Sequence, residues 1–314
     1  MHWKLKGLLQ KTLGTLPFGE DLHYLMQRTV GGMRDPRREI ALKLEDWDGM
    51  VRQLRDAGMP VAGARMLEIG SGWYPLLPLA CHLAGAARVH TVDLNRLLKP
   101  RLMRLCVDLL GAELPRIAEA AGVPLADVQA RYARLRERAR ASRDPATLTD
   151  GGIDYRAPAD AAASGLPDGS IDIVFSNSVL EHVPPDAIRR IHAGTRALLR
   201  AGGVAFHSVN CGDHYAYADR KVHQLNYLQY SDAQWAFWNN RFLYQNRLRA
   251  HQLVDMARDA GFEIALDTSH ARPQRLQQLQ ALPLAEQFRH MAPEKLCITT
   301  VDFIARKMPG APAA

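Results

Sequence analysis

The chain has 314 residues, 47% of them hydrophobic and 23% charged, a balance that excludes a disordered or collagen-like polymer and allows one large core or two domains. Its formal net charge of +7 is carried mostly by arginine, which suits solvated helix faces or an acidic substrate. No basic run is interleaved with aromatics, so nucleic acid is disfavoured as a partner.

No apolar stretch reaches membrane-spanning length, since the longest, Tyr74 to Ala87, is broken by Pro75, Pro78 and His82. The opening MHWKLKGLLQKTLGTLPFGE mixes basic and apolar residues, with neither a continuous apolar region nor a small-residue cleavage site, and does not read as a signal peptide. Cys81, Cys106, Cys211 and Cys297 are scattered without CxxC spacing, which argues against a zinc knuckle or disulfide framework and fits a reducing cytoplasm.

In chain order, residues 1–60 read as an N-terminal helical segment. Met1 to Arg34 is weakly helical, with an apolar face suited to a lid. Asp35 and Pro36 then form an N-cap and first helical position for a helix reaching about Gly58, with Ile40, Leu44, Trp47, Val51 and Leu54 on one face. From residue 61 to 314 strands and helices alternate, the signature of a doubly wound α/β sheet. Strands are expected at Met66 to Ile69, Val89 to Asp93, about Gly152 to Tyr155, Ile171 to Ser176 and Val204 to Val209. Residues 97–150 form a helical insertion, in which Leu97 to Ala141 looks entirely helical and best suits a surface hairpin ending in the Arg-rich DVQARYARLRERARA. An irregular, aromatic-rich stretch over 210–246 caps the acceptor side. It leads into a helix stopped by Gly261, a strand, and a closing strand over Leu296 to Ala305.

The chemistry begins at MLEIGSGWYP. Glu68 stands late in a strand, and Gly70 and Gly72 form a turn in which the backbone bends tightly and a ligand approaches without a Cβ in its way. Asp93 ends the next strand about twenty residues beyond Gly72, where a carboxylate accepts ribose hydroxyls. The position of a third glycine is Pro75, which compromises a dinucleotide pyrophosphate site but not a ligand without phosphates. Glu68 has turn-capping as its competing role, and Asp93 has helix capping. Trp73 and Tyr74 either stack on a cofactor or pack at the helix entrance.

With LPDGSIDIVFSNSVLEHVPPDAIRRIHAGTRALLRAGGVAFHSV, which reads as turn, buried strand, Leu180-Glu181-His182, helix, Gly202-Gly203 stop and strand, the chain resembles the class I S-adenosylmethionine-dependent methyltransferases of the LPDGSxD…LEH group. The match spans about Arg65 to Val209. The resemblance implies a Rossmann-like seven-stranded sheet whose last strand is antiparallel, with S-adenosylmethionine as cofactor. It places the methionyl moiety near Glu68, Gly70, Ser71 and Gly72, the ribose on Asp93 beside Leu94, the adenine near Asp160 and Ala161, and Asn177 on the sulfonium side.

Methyl transfer needs chiefly near-attack geometry, and a base only for a poor nucleophile such as a hydroxyl. Acceptors in open α/β sheets enter at the carboxyl ends of the strands. Ser176, Asn177 and Ser178 lack the Asn-Pro-Pro-aromatic motif of adenine or glutamine methylation. His182 is a candidate base or loop anchor. The segment after the fifth strand carries His207, Asn210, Asp213, His214, Tyr215, Tyr217, Asp219 and His223. Their spacing matches no common metal pattern, so no metal is expected. Asp213 and His214 make a candidate carboxylate-imidazole pair, against a loop knitted by its own hydrogen bonds. Tyr227, Tyr230, Trp235, Trp238 and Tyr244 with Arg241, Arg247 and Arg249 suit a sugar-like, carboxylated or phosphorylated acceptor, or else a packed cap. Transfer to a small-molecule or glycan acceptor is the expected activity. The alternative is a cyclase or lyase that consumes the same cofactor and releases methylthioadenosine.

Overall fold

The computed structural model describes residues 2–14, 35–141, 144–240 and 242–309; the rest of the expected N-terminal lid, Arg241 and the GAPAA tail lie outside them. Seven strands form one sheet: β1 (Arg65–Ile69), β2 (Arg88–Val92), β3 (Ile153–Arg156), β4 (Ile171–Asn177), β5 (Leu199–Asn210), β6 (Glu263–Asp267) and β7 (Thr300–Arg306), in the order β3-β2-β1-β4-β5-β7-β6. Neighbours from β3 to β5 pair in parallel, and β7 runs antiparallel between β5 and β6. The strand order reverses between β1 and β4, so a crevice for a ligand opens at their carboxyl ends.

Local sequence explains the elements. Strands β1 and β2 are buried on both faces after their first residue, as strands covered by helices on each side must be. The two N-terminal helices are α1 (Trp3–Gly14) and α2 (Pro36–Asp56). Asp35 caps α2 by accepting from Arg38 N at 3.2 Å, with Pro36 as first helical residue. The apolar face of α2 includes Trp47, which is fully buried and donates its indole N–H to Cys81 Sγ at 3.3 Å. That face packs in the same core as Met66 of β1 and Ile173 of β4.

Three expectations are corrected. Leu97 to Ala141 does not fold as the two helices of a hairpin but as three, α4 (Pro100–Leu110), α5 (Leu114–Ala121) and α6 (Leu125–Ala141), following α3 (Leu76–Leu83) and β2. Nor is it a surface hairpin, because Met103, Cys106, Val107, Leu110 and Ile117 are completely buried in the main core. Gly202 and Gly203 do not stop the preceding helix, α7 (Pro185–Leu198), but lie inside β5. Gly202 at φ +75° lets the strand bulge while its pairing with β4 jumps from Ile171↔Leu199 to Ile173↔Val204. The closing strand starts at Thr300 rather than Leu296, because the carbonyls of Leu296 and Ile298 are taken by the Arg249 guanidinium.

Candidate active site

The glycine turn is built by hydrogen bonds that the sequence alone does not reveal. In the β1–β2 register Glu68 faces Thr91, and the Thr91 hydroxyl donates to Glu68 Oε2 at 2.5 Å. With that proton committed, Ser71 Oγ donates to Thr91 Oγ1, also at 2.5 Å. Glu68 is 4% exposed, and burial pushes its carboxyl up to about 7, opposed by the Thr91 hydrogen bond and by Lys43. A carboxyl so placed is readily ionised by a cationic group entering the crevice, such as an ammonium.

Gly70 has φ +86° and donates its N–H to Val92 O at 2.8 Å; a side chain there would drive its Cβ into Val179 Cγ2. Gly72, at φ +60°, borders open space instead. Its N–H donates to Asp93 Oδ2 at 3.0 Å, while Asn95 N donates to Oδ1 at 2.8 Å. The β2 carboxylate therefore ties the turn together and keeps further lone pairs for a ligand. Leu94 is 68% exposed beside it.

The segment after β3 is brought alongside, with Ala159 N donating to Asp93 O at 2.8 Å. Asp160 is exposed and caps a short turn by accepting from Ala162 N at 2.9 Å, whereas Ala161 is buried. Asn177, at the end of β4, donates to Asp46 Oδ2 on α2 at 3.1 Å. Burial raises the Asp46 carboxyl above its usual range. Lys43 and Asp46 thus reach the mouth of the crevice from a helix more than twenty residues before the glycine turn, a placement set by packing alone. Tyr74 is buried and Trp73 packs against the core at the helix entrance.

On the other side of the switch point, above the carboxyl ends of β4 and β5, lie Glu181, His182 and His214. One ligand-type atom from each lies within 4.8 Å of the others. His182 Nδ1 donates to Tyr244 O at 2.6 Å, which fixes its tautomer because a carbonyl only accepts. Its ring meets that of His214 edge to face, centroids 4.9 Å apart. His214 is anchored through its backbone N–H to Gln245 Oε1 at 2.9 Å. Burial lowers both imidazoles, His214 to about 3 with help from His182 and Lys6. Burial pushes the Glu181 carboxyl up to about 8, against the Asn210 N–H that reaches Oε1 at 3.3 Å. Sequence reasoning missed Glu181; the available signal was an acidic residue directly between Leu180 and His182 in a short turn after a buried strand.

The expected Asp213–His214 pair is not made. Asp213 is fully buried and caps the following turn, accepting from Tyr215 N and from Asn226 Nδ2, each at 2.8 Å. A side chain folded back on its own turn cannot also reach the adjacent imidazole. Burial raises Asp213 to about 6. Lys6 on α1 feels its charge, and burial lowers the Lys6 ammonium. His207 is a core residue bonded to Ser176 Oγ at 2.8 Å, and His223 accepts from Leu225 N.

The cap is a packed body. Trp3 of α1, Tyr215, Tyr227 and Trp235 are buried together with Phe288 and Leu296. Arg249 is fully buried and donates to Cys211 O and Tyr227 Oη at 2.8 and 2.7 Å, and to the carbonyls of Leu296 and Ile298. Arg247 donates to Tyr227 O and Tyr230 O at 2.9 and 2.6 Å and pairs with Asp232. Neither guanidinium is available to bind an acidic acceptor.

A switch-point crevice with an acid-tied glycine turn and an antiparallel seventh strand places the chain in the Rossmann-like class of α/β proteins. The methyltransferase-domain family profile matches residues 42–266, and the chain belongs to that family: it is an S-adenosylmethionine-dependent methyltransferase. No curated protein matches it. Among solved structures it is similar to an S-adenosylmethionine-dependent methyltransferase from Mesorhizobium loti, at 18% identity over 81% of this chain and 95% of that one with a TM-score of 0.38. It is also similar to the [4+2]-cyclase SpnF, at 17% identity over 79% and 76% of the two chains with a TM-score of 0.43. A third is a geranyl diphosphate methyltransferase in complex with its cofactor, at 13% identity over 87% and 90% with a TM-score of 0.46.

Proposed function

We propose that this methyltransferase acts on a neutral, hydroxyl-bearing small molecule or glycan. S-adenosylmethionine lies across the ends of β1 and β2, on Glu68, Gly70, Ser71, Gly72, Asp93 and Leu94, with its adenine toward Asp160 and Ala161 and its sulfonium toward Asn177. The acceptor lies over β4 and β5 against Glu181, His182 and His214, beneath α1 and the 210–246 cap. The observation that carries this reading is that Glu181 Oε2 and His214 Nε2 are buried at that crevice without a hydrogen-bond partner among the described residues. Buried polar atoms are rarely left so, and each unsatisfied one costs about 1–3 kcal/mol.

A hydroxyl entering there donates to one of these atoms and is thereby oriented for in-line attack on the methyl carbon. Asp213 holds the turn that carries His214 and takes no proton. Arg247 and Arg249, the two candidate arginines among the described residues, are both committed to the cap, which favours a neutral acceptor over a carboxylated or phosphorylated one. No helix among the described residues is long and apolar enough to cross a membrane, and all four cysteines are free and buried, which supports a cytoplasmic setting.

The test supplies the protein with methyl-labelled S-adenosylmethionine and matched neutral and phosphorylated polyhydroxyl acceptors. Label should move to the neutral set with release of S-adenosylhomocysteine. Transfer confined to phosphorylated compounds overturns the acceptor assignment, and methylthioadenosine formed from the cofactor alone makes the chain a lyase or cyclase.

A further inference from the structure

The geometry points to a divalent transition-metal site formed by Glu181, His182 and His214, whose open coordination position takes a hydroxyl of the acceptor. The inference rests on the reading of this crevice as the acceptor side. Its ligands come from two loops, one after β4 and one after β5, so no sequence spacing announces them.

The three side chains are already gathered as such a site would need. Their donor atoms lie within 4.8 Å of one another, yet Glu181 Oε2 and His214 Nε2 make no hydrogen bond within the described chain. They are therefore gathered together without satisfying each other, which a central cation would do. The Tyr244 carbonyl holds the proton on His182 Nδ1 at 2.6 Å, leaving the Nε2 lone pair for a metal. That is the outer hydrogen bond by which proteins orient ligating imidazoles. Glu181 has the same support at its other oxygen from Asn210 N at 3.3 Å, and the backbone of His214 is pinned by Gln245 at 2.9 Å.

Two imidazoles with one carboxylate select zinc, manganese, iron, cobalt or nickel over magnesium or calcium, and three protein ligands leave room for a substrate oxygen. Bound there, an acceptor hydroxyl loses its proton to solvent more easily. Its oxygen then forms the bond to the methyl carbon as the carbon-sulfur bond breaks, and that electron pair returns to sulfur, which becomes a neutral thioether.

The test titrates chelator-treated protein with Co2+, following visible absorption and calorimetry, alongside His214→Ala and Glu181→Gln. One saturable equivalent is expected in the native protein, weakened at least about tenfold in each variant while S-adenosylmethionine affinity holds. X-ray absorption at the cobalt edge of the native protein should show two imidazoles, which keeps the test decisive should a variant fail to fold. Absence of saturable binding, unchanged affinity in both variants, or a shell without imidazole overturns the site. Cofactor binding without Co2+ binding sinks the metal alone, whereas Co2+ binding without cofactor binding sinks the reading of this crevice as the acceptor side.

Discussion

Replacing Asp93 by Ala separates two roles that its carboxylate combines. In the free protein it accepts from Gly72 N at 3.0 Å and Asn95 N at 2.8 Å, so the substitution leaves two backbone donors at a partly exposed turn to find water instead. With water replacing the carboxylate, that loss costs roughly 0.5–1.5 kcal/mol of stability per hydrogen bond. In the complex the same carboxylate also accepts from the ribose hydroxyls, and charge-assisted bonds of that kind contribute about 1.5–3 kcal/mol. S-adenosylhomocysteine should therefore bind roughly 10- to 150-fold more weakly to Asp93→Ala.

Calorimetry with S-adenosylhomocysteine and with its analogue lacking both ribose hydroxyls, on native and mutant protein, completes a double-mutant cycle. A direct ribose contact predicts that most of the mutational loss disappears with the analogue. If both ligands lose affinity equally, Asp93 acts only by shaping the glycine turn. If neither does, in a mutant that remains folded, the cofactor does not lie where the turn suggests.

Gly70→Ala should destabilise the protein by about 2 kcal/mol or more in urea unfolding, since φ +86° and the Val179 contact oppose any side chain. A neutral result would mean that the turn relaxes freely. Glu68 supplies a pH signature: with its carboxyl near 7 in the folded state and near 4.3 unfolded, the native protein binds more protons between those values, so its contribution to stability falls as pH rises through that window. Glu68→Gln should then stabilise the cofactor-free protein at pH 8 by on the order of 2 kcal/mol and far less at pH 5, and equal effects at the two pH values would contradict the buried neutral carboxyl. Arg249→Met strands the carbonyls of Leu296 and Ile298 in the interior, leaves that of Cys211 with the Tyr227 hydroxyl alone, and should cost at least about 3 kcal/mol by thermal unfolding. Arg249→Lys should recover little of it, because an ammonium cannot span the same fork of acceptors.

Much of this protein was legible in one dimension. The first five strands, the α2 cap at Asp35 and the glycine turn with its two acids follow from local rules: burial on both faces gives apolar runs, and a backbone at positive φ selects glycine. The family motif added the antiparallel last of seven strands and the cofactor, while the order of the strands came from the structure. The acceptor side was read less well. Adjacency in sequence suggested Asp213 with His214, but neighbouring side chains on a tight turn diverge, and His214 met His182 from a loop 32 residues earlier. Arg247 and Arg249 looked like ligands for an acid because nothing local shows that a guanidinium is already occupied.

The sequence by itself therefore determined the architecture and the nucleoside crevice, since both are encoded in periodicity and in residues whose backbone preference is local. Only the tertiary structure decided that α1 closes on the cap, that Lys43 and Asp46 border the crevice, and that Glu181, His182 and His214 converge. Those outcomes depend on side chains brought together across the sheet's switch point, where burial and the exchange of hydrogen-bond partners, neither of them a property of a short segment, select one arrangement.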